Sequence, residues 1–158
     1  MSTLNRTLQT ALLASSLMLT GSVSTAQKLI IPTNTPEDWS KPYKPFRIIG
    51  NIYYVGTYDL ACYLITTTRG HILINTGQAG SMPMLSSNIQ ELGFRLSDVK
   101  VLLATHVHFD HVGAMAEIKK VTGAKLMINR YDAQVMADGG FSDHIFGGKS
   151  SQFEPVKA

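Results

Sequence analysis

From Phe46 onward, short apolar stretches rich in β-branched and aromatic residues alternate with turn-forming residues. "FRIIGNIYYVG" predicts two short strands joined at Gly50-Asn51. "ACYLITTT" and "HILIN" predict two more, with Arg69-Gly70 as the hairpin turn. Gly77 and Gly80 then break the pattern. Between Met84 and Leu92, apolar residues at 85, 89 and 92 fall near helical spacing, and Gly93 ends the run. "VKVLLA", Val99 to Ala104, is a continuous apolar run of the kind found in a strand buried on both faces. Val112, Met115, Ile118 and Val121 recur at every third position, closed by Gly123, which predicts a helix starting near Val112. "KLMIN" predicts another strand, "RYDAQVMA" a short helix, and the residues after Asp138 a loop. Strands followed by helix, strand, helix, strand and helix predict an α/β (α+β) fold: one sheet with covering helices. Pro32, Pro36, Pro42 and Pro45 make residues 27–45 an extended arm ahead of a domain over 46–158.

The first residues follow another rule. Residues 1–26 hold one cation, Arg6, then an apolar stretch from Ala11 to Leu19, then small residues with Ser24 and Ala26 ahead of Gln27. This is the layout of a secretory signal peptide, and it implies export to the periplasm. The alternative, a membrane anchor, needs about 20 apolar residues, more than this stretch supplies. The net charge of +3 is mild and its cations are scattered, which gives no nucleic-acid footprint. The single cysteine, Cys62, has no internal disulfide partner. It reads as a small buried side chain, with a nucleophile or an intermolecular thiol as the alternative.

Candidate chemistry is concentrated in "ATHVHFDHVGA", Ala104 to Ala114, which holds three of the chain's five histidines. The stretch lies between a buried strand and a helix, where open α/β sheets gather their functional residues. In an extended loop His106 and His108 point to one side, because side chains alternate. Asp110 and His111 fall where the chain turns into the helix and can face a second point nearby. Two imidazoles beside a carboxylate plus an imidazole suit zinc. Asp110 has an alternative reading as the cap of the following helix.

His-x-His-x-Asp-His after a hydrophobic strand resembles the signature of the metallo-β-lactamase superfamily. "YYVG", "CYLITTTRGHILINTG", "DVKVLLATHVHFDHVGAMAEIK" and "TGAKLMIN" resemble the class B, subclass three enzymes in particular. The resemblance implies the amino-terminal half of an αβ/βα sandwich. It also implies a zinc-dependent β-lactam hydrolase with two zinc ions per complete enzyme that activate a shared water. His106 and His108 then hold the first zinc and Asp110 and His111 the second, with Asp110 also catalytic. Each site takes one further histidine from the second half of the fold, and neither has a matching position here. Another superfamily hydrolase, a lactonase or thioesterase, and an inert truncated product are the alternatives. With two protein ligands per zinc and one sheet face uncovered, the chain alone is expected to fold poorly, bind zinc weakly and turn over little substrate.

Further roles come from the same resemblance. Asn75 stands where many superfamily members carry aspartate, and it holds the zinc loop by hydrogen bonding, as Thr105 does. Phe141, Ser142, His144 and Ile145 correspond to a loop over the substrate, with an ordinary surface loop as the alternative. His144 is a loop residue rather than a ligand, and His71 an exposed hairpin residue. Trp39 and Tyr43 of the arm are expected to pack on the sheet, with lining the pocket as the alternative.

Overall fold

The computed structural model describes residues 28–158. The expected signal peptide over residues 1–26 lies outside the described residues. No described helix is long and apolar enough to cross a membrane.

Six strands form one sheet in chain order. β1 (Phe46–Ile49), β2 (Ile52–Tyr54), β3 (Tyr63–Ile65) and β4 (His71–Ile74) make an antiparallel meander, because each connection is a short turn. Gly50 and Gly70 occupy two of these turns with φ of +54° and +114°, a region that costs glycine nothing. β5 (Val99–Leu103) and β6 (Lys125–Met127) join in parallel, as strands linked through helices must. The first crossover carries α1 (Met82–Glu91). It begins two residues before the apolar pattern does, because Pro83 fits a first helical turn, and it ends at Gly93 with φ +84°. The second crossover carries α2 (Phe109–Val112) and α3 (Met115–Thr122), and α4 (Ala133–Ala137) follows β6.

The expected single helix from Val112 is thus two helices, the first starting at Phe109. Val121, expected on the apolar face, is 56% exposed, because the break at Gly113-Ala114 resets which α3 positions face the sheet. Met115 and Ile118 are fully buried instead.

The core lies on one face of the sheet. Leu64, Leu73, Leu102 and Leu126 are register partners on neighbouring strands and form a buried row. Leu85 and Ile89 of α1, Met115 and Ile118 of α3, and Met136 of α4 belong to the same cluster. Phe153 and Val156 join it from the final loop. The opposite face is also apolar but, among the described residues, only partly covered. Tyr54, Tyr63, Ile74, Leu103 and Met127 form one register row there and Ile52, Ile65, Ile72 and Val101 another, and none of them is buried. This corrects the reading of β5 as buried on both faces. Lys100 is exposed at an irregularity in the β4–β5 pairing, and Val101 and Leu103 are only half-buried.

The arm is tied down at several points. Leu29 bridges to Ser151 and Pro42 to Thr57, and Trp39 donates to Asp59 Oδ2 at 3.1 Å. Tyr43 packs edge-on against Phe46, Tyr54 and Tyr58. Cys62 is 1% exposed, and burial pushes its thiol up to about 12. A thiol reagent at pH 8 is therefore expected to label native protein far more slowly than urea-unfolded protein; equal rates would contradict the burial.

Candidate metal centre

β5 delivers the histidine stretch at its carboxyl end. Extended backbone through His108 (φ −103°, ψ 154°) puts His106 and His108 on one side, with ring centroids 4.6 Å apart. The chain then turns into α2, whose first turn carries Asp110 and His111. His108 occupies the N-cap position and no side chain caps the helix, so the cap reading of Asp110 does not hold. Its carboxylate faces His111 instead, with Oδ2 3.3 Å from Nε2. The His106 and His111 rings lie 3.9 Å apart. One ligand atom each from His106, Asp110 and His111 falls within 4.8 Å of the other two, a group that can hold a metal ion. Burial holds the His111 imidazole below its ordinary value; the Asp110 carboxylate opposes this, while His106 and His108 add to it. A neutral ring with a free lone pair is the form that ligates.

The loop after β4 buttresses this turn. Asn75 is 2% exposed and is the sole non-glycine among the described residues with positive φ, at 61°. Its Oδ1 accepts from Thr105 N–H at 3.0 Å and from Thr105 Oγ1 at 3.2 Å. Thr105 Oγ1 in turn lies 3.3 Å from His106 Nδ1. With the Oγ1 proton spent on Asn75, the Oγ1 lone pairs favour a proton on Nδ1 and leave Nε2 of His106 free. Thr76 N–H donates to His111 O at 2.8 Å and Gly113 N–H to Gly77 O at 2.8 Å, so the two loops are joined through backbone.

Gly113 makes that junction possible. A Cβ there would meet the backbone of Ala79 and Gln78 and come within 2.6 Å of Phe109 O. Its φ of −57° suits alanine, so steric conflict alone decides the outcome. Gly113→Ala is expected to cost about 1–3 kcal/mol in urea unfolding, where the same change at an unobstructed helical position would stabilise.

The other candidates are dispersed. His71 begins β4, while the cluster follows the carboxyl end of the parallel strand β5, so the two lie at opposite ends of the sheet. It is half-buried rather than exposed, because its ring packs edge-on against Phe94 at 5.3 Å and its Nδ1 accepts from Thr67 N–H. In the final loop His144 lines a cavity of about 140 Å³ with His106, His108 and Asp143. Ser142 and Ile145 are exposed, Phe141 is half-buried, and none of these three lines that cavity. Two residues of this loop escape sequence reading. The Asp143 side chain is 2% exposed with Oδ2 3.5 Å from His108 Nε2, and Phe146 packs edge-on against His108 at 5.0 Å and Phe109 at 5.5 Å. Asp followed by Ile145-Phe146 and two glycines is a signal for a side-chain-closed turn. It carries no indication of which distant residue the other carboxylate oxygen faces.

Known proteins share this fold. A beta-lactamase from Chitinophaga pinensis is 55% identical, with a TM-score of 0.81 over 82% of this chain and 49% of its own. The class B3 di-zinc metallo-beta-lactamase LRA-12 from an Alaskan soil metagenome is 63% identical, with a TM-score of 0.79 over 81% of this chain and 48% of its own. The metallo-beta-lactamase GOB-18 from Elizabethkingia meningoseptica is 50% identical, with a TM-score of 0.81 over 84% and 49%. The chain thus spans about half the length of these structures. Among curated proteins, a UPF0173 metal-dependent hydrolase from Anaeromyxobacter sp. (strain K) is 35% identical over 72 residues, 46% of this chain and 25% of that protein. The sequence profile of the metallo-beta-lactamase superfamily matches residues 56–151, from the end of β2 through the histidine turn to the final loop. That match takes in more than half of the sequence and the whole candidate centre, and the chain belongs to the metallo-beta-lactamase superfamily.

Proposed function

We propose that the chain forms part of an exported, periplasmic, zinc-dependent β-lactam hydrolase, with His106 and His108 holding one zinc and Asp110 and His111 a second. The observation that carries this reading is the convergence of His106, Asp110 and His111 at the carboxyl end of β5. The donor set fits: imidazole nitrogens with one carboxylate are zinc ligands, whereas calcium and magnesium take oxygen donors. Names of the relatives support the substrate class and the metal, since one is a di-zinc class B3 enzyme.

Bound zinc would supply Lewis-acid activation of water and of the lactam carbonyl. The chain's own residues prepare the site for it. Thr105, held by Asn75, keeps the His106 proton on Nδ1. Asp110 accepts a hydrogen bond from the attacking water and orients it. Partial burial lowers the His111 pKa and so favours the neutral ring that ligates. Two protein donors per metal fall short of the usual three for catalytic zinc. The relatives are about twice as long, and on this reading the remaining donors come from a part of the fold that this chain does not span.

The test is a substrate panel of carbapenem, cephalosporin, acyl-lactone and glutathione thioester, run on the full-length protein with zinc and with a chelator. Carbapenem or cephalosporin turnover that the chelator abolishes is the expected result. Turnover confined to lactone or thioester would assign another hydrolase of the superfamily. No turnover of any would point to an inert product.

A further inference from the structure

Asp143 is the most deeply buried carboxylate beside the candidate centre. One of its oxygens is fully used: Oδ1 accepts from Ile145 N–H at 2.8 Å and from Phe146 N–H at 3.3 Å, closing a turn over its own backbone. Backbone bonds lock the same turn, with Asp143 N–H donating to Gly140 O at 3.1 Å and Gly147 N–H to Asp143 O at 2.9 Å. Any Cβ at Gly147 would collide with the carbonyl oxygens of Asp143 and Phe141. The carboxylate is therefore fixed in direction, and its other oxygen is left over. Oδ2 is buried and has no hydrogen-bond partner.

A buried carboxylate oxygen without a donor is costly, and native structures rarely leave one. The donor at hand is His108 Nε2, 3.5 Å away and just beyond hydrogen-bond range. Phe146, set by the same turn, packs edge-on against the His108 ring. A small rotation of that ring closes the contact. The proton then sits on Nε2, and Nδ1 keeps its lone pair.

We propose that Asp143 is a positioning residue for His108: its Oδ2 accepts the Nε2–H bond and so fixes the tautomer that turns Nδ1 to the metal. This rests on the reading of His108 as a ligand. It gives His106 and His108 complementary supports, Thr105 on Nδ1 of the first and Asp143 on Nε2 of the second. It also makes the final loop part of the metal centre, 35 residues along the chain from His108. Partners of this kind, which orient a ligating histidine, typically contribute about 10–100-fold in metal affinity.

The test uses the full-length protein and Asp143→Asn. Asparagine keeps the shape and can still accept from Ile145 and Phe146. Its amide then points N–H groups at His108 Nε2, donor against donor, and favours the wrong tautomer. Zinc affinity measured by competition with a chromophoric chelator is expected to fall about 10–100-fold, with the melting temperature of metal-free protein nearly unchanged. Histidine ¹⁵N spectra of metal-free protein, with the His108 signals assigned by His108→Gln, are expected to show Nε2–H in the unmodified protein and Nδ1–H in the variant. Equal zinc affinity in both proteins, or an Nδ1–H tautomer in the unmodified protein, would overturn the role of Asp143 alone. Failure of the unmodified protein to bind zinc would overturn the metal centre as well. If the variant fails to fold, the tautomer of the unmodified protein still decides.

Discussion

Asp110→Ala in the full-length protein is expected to lower both zinc affinity and β-lactam turnover by more than about 100-fold, because losing an outer partner of a ligand already costs about 10–100-fold and Asp110 is proposed as a ligand itself. The loss should not be one of folding. Asp110 caps no helix, and its ion-pair contact among the described residues is with the imidazole of His111 at 3.3 Å, within the same cluster. Metal-free protein should therefore melt within a few degrees of the unmodified chain, since surface-type losses stay near 0.5 kcal/mol. Zinc titration and steady-state hydrolysis at saturating zinc separate the two effects. Turnover within tenfold of the unmodified protein would remove Asp110 from the chemistry.

Leu102→Ala is expected to produce the largest loss of stability, about 2–5 kcal/mol in urea unfolding. Leu102 is fully buried and lies between Leu73 and Leu126 in the central row of the sheet. On its far side α1 and α3 close over the same cluster, so a cavity there cannot collapse without moving a helix. β5 also carries the histidine stretch, and loosening it should weaken zinc binding in parallel. Ile49→Ala is the control: at 70% exposure on the edge strand β1, it should change the chain's stability by no more than about 0.5 kcal/mol. Equal effects at the two positions would mean that the core does not lie where the structure puts it.

Local signals carried most of the fold. Alternation and turn residues marked β1 to β4, and the apolar run of "VKVLLA" marked β5, because strand period and hairpin chemistry are written within a few residues. Other features depend on contacts that no local pattern encodes. The apolar spacing runs unbroken from Val112 to Val121, yet the helix divides at Gly113, where backbone from the loop after β4 comes too close for any side chain. β5 reads as buried on both faces from its composition, but burial depends on what covers it, and among the described residues one face of this sheet is only partly covered. His71 is the hairpin residue its sequence suggests, but it is half-buried rather than exposed, because Phe94, after α1, lies against it. At the candidate centre, the compact His-x-His-x-Asp-His spacing pointed to four residues at once, of which His106, Asp110 and His111 come together as a group that can hold a metal ion. Asp143 stayed hidden, because its orientation is set by a turn and its partner lies far back in the chain.

The most direct measurement is anomalous diffraction at the zinc edge from crystals of the full-length protein grown with zinc. Peaks are expected about 2.0–2.2 Å from ring nitrogens of His106, His108 and His111 and from a carboxylate oxygen of Asp110. Anomalous density confined to other residues, or none at the carboxyl end of β5, would contradict the metal centre and the hydrolase built on it.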